Sequence, residues 1–457
     1  MKIIILGAGQ VGSALAEHLA TEQNDVTVVD NNAERLRELQ ERLDIRTVYG
    51  QASHPNILLA AGAKQANLFI AVTHSDECNM AACQIAHMIF GTPNKIARIR
   101  SQQYLSYPAL MGEQGFHIDT VISPESLVMQ FIRNLILHPN TLQVLNFADG
   151  RVQMVAVKAN HESTLVHRPI KEIKDILPDI DTKIVGIYRK GSAILPTEET
   201  IIEPEDEIFF LAHPKHIHQV LREIRHIEKP YKRIIIAGGG NIGFQLASTL
   251  ENQFQVKIID ASKERCHFLS RELEHTLILT GDAADKELLL DENIANTDLF
   301  CALTNKDEAN IMSAILAKRL GAYRVLALIN RSAYADLVQG GEIDIAISPQ
   351  QATISKLLSR VRKGDMVEVH TLRRGAAEAI EAVARGDKKT SQVVGRTIKE
   401  IRLPPGTIIG AIVRGEEVII DSDTCVIEPE DHIILFIIDK RHIAEVERLF
   451  QVGITFV

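Results

Sequence analysis

At 457 residues the chain is well beyond what one hydrophobic core organises, so about two to four domains are expected. A composition of 46% hydrophobic and 24% charged residues is that of a folded globular protein, and a formal net charge of -9 gives no general attraction to nucleic acid or to an anionic membrane surface. Five scattered cysteines (Cys78, Cys83, Cys266, Cys301, Cys425) without CxxC spacing argue against a disulfide framework or zinc site and for a reducing compartment, while the N-terminal apolar run is too short for a signal peptide and no stretch approaches the roughly 20 apolar residues of a membrane-spanning helix.

Residues 1–123 read as a Rossmann-like, doubly wound α/β domain. Short Val/Ile runs (IIIL, VTVVD, FIAVT) alternate with amphipathic segments such as AERLRELQERL, the pattern of βα units around a parallel sheet. The strand KIIIL runs directly into Gly7-Ala8-Gly9-Gln10-Val11-Gly12, which opens the helix SALAEHLA. In that context the first glycine permits a tight turn, the second lets a pyrophosphate approach the backbone, and the third lets helix and strand pack closely. The phosphates then meet unpaired N–H groups and the helix dipole. Asp30, closing the second strand, is placed to accept hydrogen bonds from ribose hydroxyls and to repel a 2′-phosphate, which favours NAD or adenosine nucleotides over NADP. Thr73 and His74 end the fourth strand, where open parallel sheets bind ligands, and Asp76 follows where a helix N-cap belongs. Arg98 ends the next strand as a charge-assisted donor for phosphates. Cys78 and Cys83, five apart on a predicted helix, read as buried thiols.

A boundary near 123–143 carries a helical segment, 125–138, that either packs on a neighbouring subunit or caps its own sheet. Residues 143–227 lack the βα alternation and read as a small α+β module. Within it Glu-Pro-Glu-Asp (203–206) reads as a turn feeding a buried strand. His213, His216 and His218 have no carboxylate or cysteine at ligand spacing and read as a solvated helix start, so no metal site is assigned. The charged segment 226–230 marks the next boundary.

From residue 232 the chain starts again. IIIAGGGNIGFQLASTLENQFQVKIID (234–260) matches residues 3–30 with one residue fewer, and supplies Gly238, Gly239, Gly240, Asn241, Ile242, Gly243 and Asp260. Gly281-Asp282-Ala283 matches Gly50-Gln51-Ala52, and Thr304, Asn305 and Asp307 match Thr73, His74 and Asp76. Ser348-Pro349 matches Ser123-Pro124, followed by a second helical segment, 350–362. A second small module spans 368–453, where SQVVGRTIKEI and VIEPEDHIILFI repeat STLVHRPIKEI and IIEPEDEIFFLA. Aligning the copies sets Ala327 against Arg98 and Gln51 against Asp282, so the two sites are expected to differ. No GxSxG, HExxH or paired-carboxylate constellation stands in a convincing context, so no catalytic residue is assigned.

On these motifs (the glycine loops with their aspartates, THSDE and TNKDE, the two EPED turns, and the duplication) the chain resembles the RCK, or KTN, domain regulators of potassium conductance, and among them the peripheral subunits of bacterial Trk potassium-uptake systems. The resemblance covers nearly the whole chain as RCK-N (1–123), RCK-C (143–227), RCK-N (232–348) and RCK-C (368–453). It implies a homo-oligomeric ring, dimer or tetramer, on the cytoplasmic face of the inner membrane, bound to an integral potassium-translocating subunit of the TrkH/TrkG kind. It also implies NAD(H) and ATP or ADP in the Rossmann clefts, changing ring shape. The first site would comprise Gly7 to Gly12, Asp30, Thr73, His74 and Arg98; the second, Gly238 to Gly243, Asp260, Asp282, Thr304 and Asn305. Two departures stand out: Gln51 replaces the aspartate of the family's Gly-Asp-Ala element, and Ala327 replaces the arginine. The rival readings are an NAD-dependent dehydrogenase, disfavoured because the small modules repeat each other without a singular acid or base, and a scaffold with vestigial sites.

Overall fold

The Val/Ile runs at the head of each half form parallel sheets. The computed structural model describes residues 1–21, 24–139, 141–178, 180–224, 230–331, 334, 338, 341–361, 366–372, 377–420 and 424–452. Of the expected boundaries, residues 226–229, 362 and 453 lie outside the described residues.

The first sheet comprises β1 (Lys2–Leu6), β2 (Asp25–Asp30), β3 (Arg46–Tyr49), β4 (Leu68–Ala71), β5 (Asn94–Arg98) and β6 (Thr120–Ile122) in the order β3-β2-β1-β4-β5-β6, all neighbours parallel. Strand order reverses between β1 and β4, and such a switch opens a crevice at the carboxyl ends of the strands. β4 is buried along its whole length, as expected for a strand covered on both faces by helices.

An antiparallel module follows: β7 (Thr141–Phe147), β8 (Val152–Lys158), β9 (Thr182–Arg189), β10 (Ser192–Ile194) and β11 (Glu207–Ala212), ordered β10-β9-β11-β8-β7. The second half repeats both sheets. β12 (Arg233–Ala237), β13 (Gln255–Asp260), β14 (Leu277–Thr280), β15 (Leu299–Ala302), β16 (Arg324–Leu328) and β17 (Ile345–Ile347) run in the order β14-β13-β12-β15-β16-β17. β18 (Met366–Leu372), β19 (Ala377–Val383), β20 (Thr407–Arg414), β21 (Glu417–Ile420) and β22 (His432–Ile437) run in the order β18-β19-β22-β20-β21. The fold is thus two Rossmann-like parallel-sheet domains, each followed by a small α+β module.

The EPED segments do more than turn the chain. Glu205 and Glu430 take positive φ (71° and 70°), and the next residue, Asp206 or Asp431, is buried. Asp206 accepts from Arg189 Nε (2.8 Å) and Nη2 (2.7 Å) and from the Glu203 N–H (2.8 Å); Asp431 does the same with Arg414 and Glu428. A bidentate guanidinium compensates the buried carboxylate. These bonds hold both Arg189 and Arg414 above the usual arginine range.

The two antiparallel sheets share one core. Phe147, Met154, Val185, Phe209 and Leu211 pack with Leu372, Ala379, Val413, Ile434 and Phe436. The rings of Phe209 and Phe436 lie 5.7 Å apart. Close approach depends on glycine: a Cβ on Gly186 would stand 2.2 Å from Phe436 Cζ, and one on Gly410 would stand 2.2 Å from Leu211 Cδ1. Helix Pro214–Ile224 covers the outer face of the first antiparallel sheet through Ile217, Val220 and Leu221.

Packing divides the chain into two units: Met1–Val128 with Pro349–Leu357, and Met129–Ser348 with Leu358–Val457. The helical segments expected at 125–138 and 350–362 form helices Pro124–Leu137 and Pro349–Val361. The second does not simply cap its own sheet, because its first nine residues belong to the unit of the first sheet. Phe436→Ala removes the ring on which the shared core closes. A loss of about 3–5 kcal/mol is expected, read as a lower urea midpoint at unchanged m-value.

Candidate functional site

At the end of β1 the chain turns through Gly7 at φ 102°, and the Gly7 N–H donates to Val29 O (2.8 Å), tying the turn to β2. Helix Gln10–Thr21 follows at once. Two of the three glycines are closed in: a Cβ on Gly7 would meet the Thr73 backbone at 3.1 Å, and one on Gly12 would stand 1.8 Å from Gly7 O. Gly9 alone has nothing within 4 Å. The second loop repeats this, with Gly238 at φ 105°, a Gly243 Cβ 2.0 Å from Gly238 O, and Gly240 open. The sequence assigns the middle glycine to close ligand approach, and it is the glycine that faces open space.

Asp30 is more than a ribose acceptor. Its Oδ2 accepts the Ala8 N–H (2.6 Å) and its Oδ1 the Asn32 N–H (2.7 Å), so the carboxylate pins the glycine loop to the end of β2. Asp260 makes the same pair with Gly239 N–H (2.8 Å) and Ser262 N–H (2.9 Å). Each oxygen keeps a lone pair for a further donor.

Around the end of β4 the organiser is a residue that sequence reasoning missed. Asn79, fully buried, accepts from the Thr73 hydroxyl (2.7 Å) and N–H (3.0 Å) and donates to Arg98 O (2.9 Å). Asn310 does the same for Thr304 and Leu328 O. The repeated asparagine in DECNM and DEANI is the available signal. Arg98 Nη2 donates to Thr73 O (2.6 Å), so Gly7, Asp30, Thr73 and Arg98 form one connected site. His74 and Asn305 are exposed; His74 takes part through its carbonyl, which accepts from Arg100.

Two expectations are corrected. Asp76 and Asp307 are not N-caps. Ser75, in extended conformation, caps helix Asp76–Phe90 by accepting from the Cys78 N–H (3.1 Å), and Lys306 holds that position in the second copy without a side-chain bond. One residue further on, the Asp76 carboxylate points to the loop after β5 and accepts from the Arg100 (2.9 Å) and Ser101 (2.8 Å) N–H groups; Asp307 likewise holds Asn330 and Arg331. The partner of Arg98 is also not Ala327. Sheet register sets Ala71 against Ala97 and Ala302 against Ala327, so Arg98 corresponds to Leu328. Helix Asp307–Arg319 is two residues shorter than helix Asp76–Phe90 (13 against 15), but the loop after it is longer, so the register moves by less than the helix length suggests. The inequality of the sites stands, since leucine carries no charge.

Burial shapes the first site's electrostatics. Desolvation, then the charge of Arg100, pulls the Arg98 guanidinium below its usual range. Desolvation likewise raises the carboxyl of Glu125, in helix Pro124–Leu137, against the pull of Arg100 and Arg98. Arg98 Nε and Glu125 Oε2 are buried without a hydrogen-bond partner among the described residues. Groups left so are costly unless something else matches them. The second site differs at its other end. Arg265 Nε donates to Gly239 O (2.5 Å), and its guanidinium lies 4.5 Å from the Phe268 ring centroid and 5.8 Å from that of Phe244. In the first copy Arg35 matches Arg265, while Glu38 and Ser13 stand where Phe268 and Phe244 do. Asp282, exposed like its counterpart Gln51, accepts from the Ala284 N–H (2.9 Å) in a local turn beside the end of β13. Among the described residues no group of three His, Cys, Asp or Glu is placed to hold a metal ion, and no helix is long and apolar enough to cross a membrane.

The glycines separate packing from ligand roles. Gly12→Ala is expected to cost more than about 3 kcal/mol and Gly9→Ala less than about 1 kcal/mol. Urea denaturation of the two variants checks the order.

The TrkA-N domain family model matches residues 3–124 and 234–349, and the TrkA-C domain model matches residues 154–225 and 388–451. The Trk system potassium uptake protein TrkA of Halomonas elongata is 57% identical over 456 residues, covering 100% of both chains; that of Vibrio alginolyticus is 56% identical over 452 residues, covering 99% of each. Among solved structures, the RCK domain of GsuK superposes with a TM-score of 0.61 at 19% identity over 98% of this chain and 95% of its own. The GsuK channel bound to NAD gives 0.62 at 19% over 98% and 79%. With both glycine loops, both antiparallel modules and near-complete coverage in agreement, the chain belongs to the TrkA family of tandem TrkA-N and TrkA-C domains.

Proposed function

We propose that the protein is the nucleotide-binding regulatory subunit of a Trk-type potassium-uptake system. It docks as a homo-oligomer on the cytoplasmic side of an integral potassium-translocating subunit and controls it without turning over a substrate. Its high identity to Trk potassium uptake proteins supports the system, and the site supports the ligand. One observation carries the nucleotide reading: in both copies the middle glycine alone is open, at a helix N-terminus, next to an aspartate ending the second strand. That geometry accepts a pyrophosphate on backbone N–H groups and a ribose on the carboxylate.

NAD(H) and ATP or ADP are the ligand classes. The first site consists of Gly7 to Gly12, Asp30, Thr73, His74 and Arg98, where unmatched Arg98 Nε fits a phosphate oxygen. The second consists of Gly238 to Gly243, Asp260, Asp282, Thr304 and Asn305. Leu328 removes the cation there, so the second site discriminates less by phosphate number. Nucleotide acts by binding two conformations with different affinity, because a ligand shifts an equilibrium only by that difference.

Calorimetric titration with NADH, NAD, ATP and ADP is expected to show two unequal sites. Gly9→Val is expected to remove the first and Gly240→Val the second, each by placing a branched side chain where the phosphates approach. Saturable binding without NADH oxidation is the expected outcome; no binding, or steady oxidation with any small substrate, overturns the reading.

A further inference from the structure

Helix Pro349–Val361 follows β17 of the second parallel sheet, yet Pro349–Leu357 pack in the unit of the first sheet. Thr353 and Leu357 are fully buried, and Ile354 is 6% exposed. A turn earlier, Gln350 Nε2 donates to the backbone carbonyl of Gln10 (3.1 Å). Gln10 opens the helix that follows Gly9, where a Cβ would meet nothing within 4 Å. The helix is therefore anchored by apolar burial on one turn and reaches the glycine loop by a polar group on another.

The contact is specific to this residue. The Ser-Pro repeat makes Glu125 the counterpart of Gln350, and a carboxylate at that position has no N–H to give a carbonyl. The second half thus supplies the first loop with a donor that the corresponding residue of the first half lacks.

We propose that Gln350 is a positioning residue of the first nucleotide site. By holding the Gln10 carbonyl it fixes the first turn of the helix that receives the phosphates, so the affinity of the first site depends on a helix contributed by the second half. This assignment rests on the reading of the first loop as a nucleotide site.

The test uses the full chain carrying Gly240→Val, so that the first site alone reports in calorimetric titrations with NADH and with ATP. Gln350→Met keeps the side-chain shape and removes the donor; Gln350→Glu replaces the donor with an acceptor. Each is expected to weaken binding about fivefold or more, the worth of one neutral hydrogen bond. Gln350→Lys, which again presents a donor, is expected to restore it. In a Gly9→Val chain, where the second site alone reports, the same changes are expected to leave affinity within twofold. Unchanged first-site affinity, equal loss at both sites, or failure of Gln350→Lys to recover binding overturns the assignment. If the Gly240→Val chain with Gln350 intact takes up no nucleotide, the reading of the first loop falls, and the assignment falls with it.

Discussion

Everything at the two candidate sites depends on how closely the third glycine of each loop approaches the first. With Gly12 against Gly7 O, at a separation no Cβ tolerates, the helix starts immediately beyond the strand, and its first N–H groups have no partner within the helix. Asp30 then completes the constraint from the other side by taking the Ala8 N–H. One carboxylate therefore does structural work while still offering lone pairs. An acidic residue at the end of the second strand can thus hold the loop and still accept a further donor, and replacing it breaks more than one contact.

The duplication supplies two such loops but does not keep them alike. The first has a buried cation with an unmatched nitrogen and a carboxyl raised by desolvation beside it. The second has leucine in place of that cation, and an arginine held against two phenylalanine rings at the far end of its loop. The differences fall at opposite ends of the crevice: the first copy carries a cation toward the β5 side that the second lacks, and the second carries an aromatic pair toward the β13 side that the first lacks.

Much of this was legible from residue order because it is local. A strand, glycine loop and helix lie within a dozen residues, and Asp30 follows at fixed spacing, so hydrophobic period and turn chemistry were enough. What was not legible depends on residues far apart in the chain. Asn79 looked like one polar residue in a helix, and its role appears only once β4 and β5 lie side by side. The EPED turns are visible, but not that the last residue of the first is buried against an arginine on β9, the strand that pairs with the β11 the turn feeds. Glycine 186 gave no sign that Phe436 would need its missing side chain. The match of Arg98 to Ala327 is off by one residue because a shorter helix and a longer loop between the copies partly cancel, which strand register detects and linear alignment hides.

The helix exchanged in packing also bears on how the chain can be divided. The unit around the first sheet is completed by Pro349–Leu357, so it is not a continuous stretch of polypeptide. A fragment ending at Val128 lacks the segment that carries the buried Thr353, Ile354 and Leu357, and no single cut delivers the unit whole. A gene encoding the first half alone would specify that unit without Pro349–Leu357, so the two copies share one unit of packing across their junction.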